Sequence, residues 1–213
     1  MSTTNVPLVL ASGSPRRVAL LAELGVPFQV IVSDAPETID PRLDAEAQAV
    51  EIAERKARSV ASRIERGIVL GADTIVVLDG ALLGKPVDDA DAMSMLHRLS
   101  GREHRVVTGM AVIDAETSSL RASAVTSVVR FRALTNSEIA QYVATGEPSG
   151  KAGAYAIQGL GAGLVSNLGG CFSNVVGLPL CETARLLSAA GVTVDPTGTG
   201  CRLPVGRPCP RSV

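Results

Sequence analysis

Two hydrophobic periodicities alternate along the chain and predict an α/β protein. Residues 8–11 form a short, continuous apolar run that is typical of a buried strand. Between residues 44 and 64 the apolar side chains instead recur every three or four positions, as on one face of a helix. The order of such segments mixes parallel crossovers with hairpins. We therefore expect a mixed β-sheet with helices on its faces.

Turn and capping residues set the predicted boundaries. Ser14 and Pro15 suit the cap and the first position of a helix that Gly25 ends. Thr135 with Glu138 predicts a capping box for a later helix. Strands are predicted at residues 8–11, 28–32, 68–78, 81–83, 105–113 and 122–131, and the remaining helices at 44–64, 88–99, 135–146 and 179–190. Residues 1–195 are predicted to form a single domain, and the Gly-, Pro- and Arg-rich residues 196–213 a disordered tail.

Composition narrows the classes of function. The 213 residues carry a net charge of −1 and only three Phe, two Tyr and no Trp, which argues against a nucleic-acid partner. No apolar run approaches the roughly 18 residues of a membrane span, and residues 1–7 lack the basic residues of a signal peptide. The four cysteines show no C-x-x-C spacing, which disfavours zinc. We expect a cytoplasmic protein with no nucleic-acid or membrane partner.

The segment from Ser12 to Arg17 has the form of an anion site. A strand ends there, a glycine turn follows, and a helix begins with Arg16 and Arg17 in its first turn. Free backbone N–H groups and the helix dipole favour an anion at that end, while two arginines there are unfavourable without one. The alternatives left open are phosphate binding and an ordinary pair of surface arginines.

Asp73 interrupts an apolar, strand-like run. A carboxylate there is costly unless it is paired or bound to a metal, so it could hold a metal or activate water. The alternative is a strand end or bulge at which the aspartate caps a loop. Lys56 and Lys85, taken singly, could each be a solvated lysine with its stem on the core. The glycines at residues 159–163 match neither a dinucleotide-binding fingerprint nor a P-loop.

Taken together, six ordered segments resemble the Maf family over roughly residues 8–192. The segments are Ser12-Gly13-Ser14-Pro15-Arg16-Arg17, Glu54-Arg55-Lys56-Ala57, Gly71-Ala72-Asp73-Thr74, Gly84-Lys85-Pro86, residues 151–159 and Asn174-Val175-Val176-Gly177-Leu178-Pro179. The resemblance implies a Maf/ITPase-like fold, with a curved mixed sheet and two lobes around a cleft. It also implies a nucleoside triphosphate pyrophosphatase that needs a divalent cation, magnesium or manganese.

The same resemblance implies the roles of individual residues. The phosphate-binding residues would be Ser12, Arg16, Lys56 and Lys85. Glu37 and Asp73 would hold the metal, and Asp73 would also be the general base. Arg17, Thr74 and Gln158 match the subgroup that resembles dTTP and UTP hydrolases. These roles fit the chemistry, because a triphosphate and its leaving pyrophosphate need cations, while a carboxylate orients water.

The resemblance also implies further functions and partners. The expected partner is a nucleoside triphosphate, either dTTP and UTP or a modified pyrimidine nucleotide, in a house-cleaning or cell-division-arrest role. Assembly as a homodimer is left open. The rival interpretation is a non-enzymatic regulator of septum formation, although such a protein need not keep Asp73, Lys56 and Lys85 together.

Overall fold

A computed structural model describes residues 6–194 and shows one seven-stranded mixed sheet. The first two strands pair in parallel, the first also pairs in parallel with the third, and all other pairings are antiparallel. Along the sheet the order is β2-β1-β3-β5-β6-β7, and β4 pairs with β3. The strands are β1 Leu8–Leu10, β2 Phe28–Val30, β3 Ile68–Leu78, β4 Ala81–Leu83, β5 Glu103–Asp114, β6 Leu120–Phe131 and β7 Val165–Gly169. The predicted mixed α/β fold is confirmed.

Helices lie on both faces of the sheet. Those of the described residues are α1 Pro15–Ala22, α2 Ala45–Ala61, α3 Asp89–Leu99, α4 Asn136–Ala144, α5 Phe172–Val176 and α6 Leu180–Ala189, with 3-10 turns at Ala152–Ala154 and Gly159–Leu164. The capping box of Thr135 and Glu138 is confirmed, and Gly25 follows α1 with a φ of 68°. None of the described helices is long and apolar enough to cross a membrane.

Two elements were absent from the sequence prediction. These are β7 and α5, and both lie in the glycine-rich stretch between residues 159 and 177. Neither short segment shows a hydrophobic period. The structure of β7 therefore depends on its pairing with β6, and that of α5 on tertiary contacts. The predicted disordered tail lies outside the described residues, and the single-domain boundary stays a prediction.

The side chains of β1 alternate between the two faces of the sheet, and each face carries its own part of the core. Leu8 and Leu10 face the larger cluster, which includes apolar residues of α1, α3, α4 and α6. Val9 faces the opposite side, where it packs with Ala53 and Ala57 of α2. This period of two is what a strand buried on both faces requires.

Two glycines bring α2 unusually close to the sheet. A Cβ added to Gly71 of β3 would lie 2.2 Å from the carbonyl oxygen of Ala53, and one added to Gly109 of β5 would lie 2.2 Å from the carbonyl carbon of Ala49. Both contacts are with helix backbone, which cannot move aside as a flexible side chain can. The small faces of Gly71, Gly109 and the α2 alanines therefore fix the separation of α2 from the sheet.

We predict that Gly71→Ala destabilises the fold. Overpacking of a filled site costs roughly 1–3 kcal/mol, and more where backbone must shift. Urea unfolding of both proteins measures the loss. Gly163→Ala is the matched control, because a Cβ at Gly163 would meet nothing within 4 Å. Equal midpoints for Gly71→Ala and wild type would contradict the close approach.

Candidate active site

One pocket of about 380 Å³ collects residues that are far apart in the sequence. The loop after β1 supplies one wall, the loop between β2 and α2 a second, and residues 150–158 a third. Every predicted site residue lines it, namely Ser12, Arg16, Arg17, Glu37, Lys56, Asp73, Thr74, Lys85 and Gln158. The structure brings the predicted set into one place, while the role of each residue stays a prediction.

A chain of charges crosses the pocket floor. Lys56 Nζ donates to Asp73 Oδ1 and to Glu37 Oε1, each at 2.7 Å, and Lys85 Nζ donates to Glu37 Oε2 at 2.6 Å. The side chains of Lys56 and Asp73 are only 10% and 12% exposed, whereas Glu37 and Lys85 are 43% and 55% exposed. Lys56 is thus a buried cation bonded to two carboxylates. Lys85 is the exposed end of this row of charges, bonded to Glu37.

The position of Asp73 follows from the sheet and from α2. Asp73 lies in the middle of β3, directly opposite Gly109 of β5. Since α2 approaches the sheet backbone at Gly109 and Gly71, Lys56 on that helix comes within hydrogen-bonding distance of the Asp73 carboxylate. The alternative that Asp73 caps a loop at a strand end is wrong.

The loop that carries Glu37 is fastened to α2. Arg55 donates to the carbonyl oxygens of Pro36 at 2.9 Å and Thr38 at 2.6 Å, on both sides of Glu37. Gln48, which is fully buried, accepts from the backbone N–H of Asp40 at 2.6 Å. Sequence reasoning missed these contacts, although Arg55 directly precedes Lys56. Contacts between a side chain and a distant backbone carbonyl leave no periodic signal.

Charge pairing changes the acidity of Glu37. Partial burial opposes its negative charge, but hydrogen bonds from Lys56 and Lys85 outweigh that effect and lower its pKa to about 2. Glu37 is therefore ionised throughout the neutral range. Its carboxylate is available as an oxygen donor to a cation.

Another side of the pocket is cationic. Arg17 donates to the Gly177 carbonyl at 2.9 Å, to Ser12 Oγ at 3.3 Å and to Thr74 Oγ1 at 3.1 Å. Arg16 Nε donates to the Val176 carbonyl at 3.3 Å. Burial lowers the pKa of both arginines. All of these acceptors are neutral, and the ion pairs among the described pocket residues belong to Lys56 and Lys85.

A buried hydroxyl chain supports this cationic side. Thr74 Oγ1 lies 2.9 Å from Thr108 Oγ1, which donates at 3.0 Å to the carbonyl of Asn174. The side-chain amide of Asn174 donates in turn to the Val106 carbonyl at 3.0 Å and to Ser127 Oγ at 2.9 Å. Thr108 has its proton engaged by Asn174, so Thr74 donates to Thr108 and accepts from Arg17. These contacts fix α5, and the carbonyls of Val176 and Gly177 at its C-terminal end accept hydrogen bonds from the arginines.

Lys151 is a third cation on this side of the pocket. It is the first residue of the segment 151–159, and the sequence predicted no role for it. It lines the pocket, and its Nζ donates to the carbonyls of Glu147 at 2.5 Å and Ser149 at 3.3 Å. Burial, followed by the nearby charge of Arg16, lowers its pKa, whereas Glu147 opposes the shift. Arg16, Arg17 and Lys151 together form what we call the cationic wall.

The pocket wall beside Gln158 rests on an aromatic cluster. Tyr155 lines the pocket, and its ring meets His104 and Phe131 edge-on, with centroids 5.4 and 4.8 Å apart. His104 Nε2 lies 2.8 Å from the Tyr155 hydroxyl, and burial lowers the pKa of His104 to about 4. Gln158 itself is exposed at the pocket edge. Two of the five Phe and Tyr rings of the chain thus pack with His104 behind this side of the pocket.

Comparison with known proteins agrees with the sequence resemblance. The family model described as Maf-like protein matches residues 7–190, a range that contains every pocket residue. The chain belongs to this family. Its membership confirms the resemblance stated from the six segments.

Relatives of this Maf-like chain are similar over most of their length. A protein of Syntrophotalea carbinolica is 52% identical over 186 residues, covering 86% of this chain and 84% of its own. Proteins of Geobacter sulfurreducens and Symbiobacterium thermophilum are each 50% identical, covering 86% and 91% of this chain and 96% and 98% of their own. All three are named dTTP/UTP pyrophosphatase. The structure of the Staphylococcus aureus Ham1 protein overlaps 59% of this chain and 71% of its own, at 16% identity and a TM-score of 0.45.

We predict that the low pKa of Glu37 in this Maf-like protein depends on Lys56. Lys56→Met removes the larger of two stabilising hydrogen bonds, so the Glu37 pKa should rise from about 2 toward 4.5. A carboxylate whose pKa is lowered on folding adds stability above pH 4.5, and that stability is lost as the pH falls toward 2. Carboxyl carbon NMR titration of the metal-free protein measures the shift.

Lys85→Met is the comparison for this titration. Because the Lys85 side chain is the more exposed partner, its removal should raise the Glu37 pKa by a smaller amount. A Glu37 pKa that stays near 2 in Lys56→Met would contradict the charge chain.

Proposed function

We propose that this Maf-like protein hydrolyses nucleoside triphosphates between the α- and β-phosphates, releasing a monophosphate and pyrophosphate, and favours dTTP and UTP. One observation carries the proposal: a single pocket holds both a carboxylate–lysine chain and a cationic wall whose members form no ion pair with a carboxylate among the described residues. A triphosphate carries nearly four negative charges and matches that wall. The relatives' shared name supports both the reaction and the pyrimidine bases.

A divalent cation, magnesium or manganese, is part of the proposal. The described residues contain no group of three or more His, Cys, Asp or Glu side chains arranged for a metal. Two carboxylates do fit such a cation, because Mg²⁺ is commonly held by one or two carboxylates together with substrate phosphates. Glu37 and Asp73 would hold it, and the Lys56 ammonium, which lies 2.7 Å from an oxygen of each, shows that the two carboxylates converge on one positive charge. When bound, the cation would neutralise charge on the phosphates.

The chain's own residues perform the remaining tasks. Arg16 and Lys151, together with Ser12, bind the phosphates from the cationic wall. Asp73 orients a water molecule toward the α-phosphorus and accepts its proton, while the bond from that phosphorus to the bridging oxygen breaks. Lys56 and Lys85 stabilise the charge that develops on the leaving pyrophosphate. Burial of Asp73 and Lys56 strengthens these interactions relative to bulk water.

The proposal places the enzyme in the cytoplasm, where its nucleotide substrates are found, and homodimer assembly stays a prediction. The rival role, a regulator of septum formation without catalysis, requires none of the contacts between Lys56, Asp73 and Glu37. Their hydrogen-bonded arrangement is the specific observation that favours an enzyme.

A nucleotide panel tests the proposal. The protein should release pyrophosphate from dTTP and UTP faster than from ATP, GTP or triphosphates with methylated guanine bases. Removing divalent cations with a chelator should abolish the release, and adding magnesium or manganese should restore it. Formation of diphosphate and orthophosphate would refute the assigned bond, and absence of any hydrolysis would favour the regulator.

We predict that Asp73→Asn slows turnover strongly without unfolding the protein. The two side chains are nearly isosteric, but the amide cannot accept the proton of water, so the rate should fall about 10²-fold or more. Steady-state kinetics and circular dichroism measure the two effects. A folded variant with near-normal turnover would show that Asp73 has only a structural role.

We predict that Gln158→Ala weakens the choice of base. Without the Gln158 amide, polar groups of the pyrimidine would lack hydrogen-bond partners, which weakens binding of dTTP by roughly 1–3 kcal/mol. The preference for dTTP over ATP should therefore fall about tenfold or more. Lys85→Ala is the control, because loss of a phosphate contact should weaken all triphosphates alike. An equal loss for every nucleotide in Gln158→Ala would remove the basis of the pyrimidine assignment.

A further inference from the structure

A half-buried carboxylate lies directly beneath the loop that carries Gln158. We define the Gln158 loop as residues 156–161. Glu147 Oε2 accepts from the backbone N–H of Leu160 at 3.1 Å, and Glu147 Oε1 accepts from that of Gly161 at 2.9 Å. One carboxylate thus holds two successive backbone donors on the C-terminal side of Gln158. Bonds of this kind, with an ionised acceptor, are stronger than neutral ones.

Tyr142 holds the other end of the same loop. Its hydroxyl accepts from the backbone N–H of Ala156 at 3.1 Å and donates to Glu147 Oε1 at 2.9 Å. The Tyr142 ring is 5% exposed and anchored in the core by α4. Burial, together with Glu147, raises the pKa of Tyr142, so its hydroxyl remains a donor to the carboxylate. The pair therefore connects the two ends of the loop through one hydrogen-bonded unit.

Glycines allow this contact. A Cβ on Gly159 would lie 2.7 Å from Glu147 Oε2, and its φ of +73° is itself unfavourable for other residues. A Cβ on Gly161 would lie 2.1 Å from the Ala156 carbonyl oxygen and 2.7 Å from the Tyr142 hydroxyl. The glycine run that matched no phosphate-binding motif thus has a different use, since it lets the loop backbone reach the carboxylate.

We propose that Glu147 and Tyr142 form a clamp that sets the position of Gln158 and thereby the discrimination between nucleotide bases. Neither residue lines the pocket, so they are positioning residues that act through Gln158. The inference rests on the proposed function, in which Gln158 contacts the base. Although Gln158 is exposed, it can select a base because Tyr142 and Glu147 hold the loop backbone on either side of it.

The test combines Glu147→Gln and Tyr142→Phe with Gln158→Ala. Glu147→Gln keeps the size of the side chain but removes its charge and one acceptor oxygen. It should reduce the preference for dTTP over ATP about tenfold, mainly through a higher KM for dTTP. Tyr142→Phe should act in the same direction. Loss of the Glu147 charge near Lys151 should affect phosphate binding of both nucleotides alike and so leave their ratio unchanged. Glu138→Gln is the matched control, since that carboxylate also accepts a backbone N–H beside α4 but lies at the opposite end of the helix.

A double-mutant cycle separates a clamp from a general structural role. If Glu147 acts through Gln158, adding Glu147→Gln to Gln158→Ala should change the dTTP preference no further. Independent, additive losses would overturn the proposal, and so would an unchanged preference in Glu147→Gln.

Amide hydrogen exchange tests the clamp without using activity. The amides of Ala156, Leu160 and Gly161 should exchange faster in Glu147→Gln than in wild type, whereas Glu138→Gln should leave them unchanged. Equal exchange in Glu147→Gln and wild type would overturn the clamp. A wild-type protein that hydrolyses no nucleotide would instead overturn the proposed function, and the exchange result would still decide whether the clamp exists.

Discussion

The close approach of α2 to the sheet is the constraint on which the site depends. Gly71 and Gly109 leave no room for a Cβ between strand and helix backbones, so α2 lies at a separation that larger residues would prevent. At that separation Lys56 reaches Asp73 at 2.7 Å, and both side chains are largely buried. Arg55 and Gln48 on the same helix hold the loop that brings in Glu37. Helix α2 thus supplies the lysine and holds the Glu37 loop, while β3 supplies Asp73.

The pocket divides its charges between two sides with different partners. On one side, Glu37 and Asp73 balance Lys56 and Lys85, which lowers the cost of burying them. On the other, Arg16, Arg17 and Lys151 donate hydrogen bonds to carbonyls and hydroxyls, and none of them forms an ion pair with a carboxylate among the described residues. A polyphosphate can therefore bind to the second side without first displacing a carboxylate from those cations.

Sequence reasoning recovered the parts that have a local signal. The continuous run of β3, the capping box of α4 and the six ordered segments each depend on neighbouring residues, and the structure places all nine predicted residues in one pocket. It missed β7 and α5, which form through pairing and tertiary contacts. It also missed Lys151, Arg55 and the Glu147–Tyr142 pair. The contacts of Arg55 and of the Glu147–Tyr142 pair join a side chain to backbone that is distant in the sequence, whereas Lys151 bonds carbonyls two and four residues away. No hydrophobic periodicity records either kind of contact.

In the proposed reaction, water attacks the α-phosphorus of a triphosphate bound in this pocket. Hydrolysis of dTTP in water labelled with heavy oxygen, followed by mass spectrometry of the products, shows which phosphorus is attacked. The label should enter the nucleoside monophosphate, and the released pyrophosphate should carry none. Label in pyrophosphate would show attack at the β-phosphorus, and label in orthophosphate would show attack at the γ-phosphorus; either result would rule out the proposed attack.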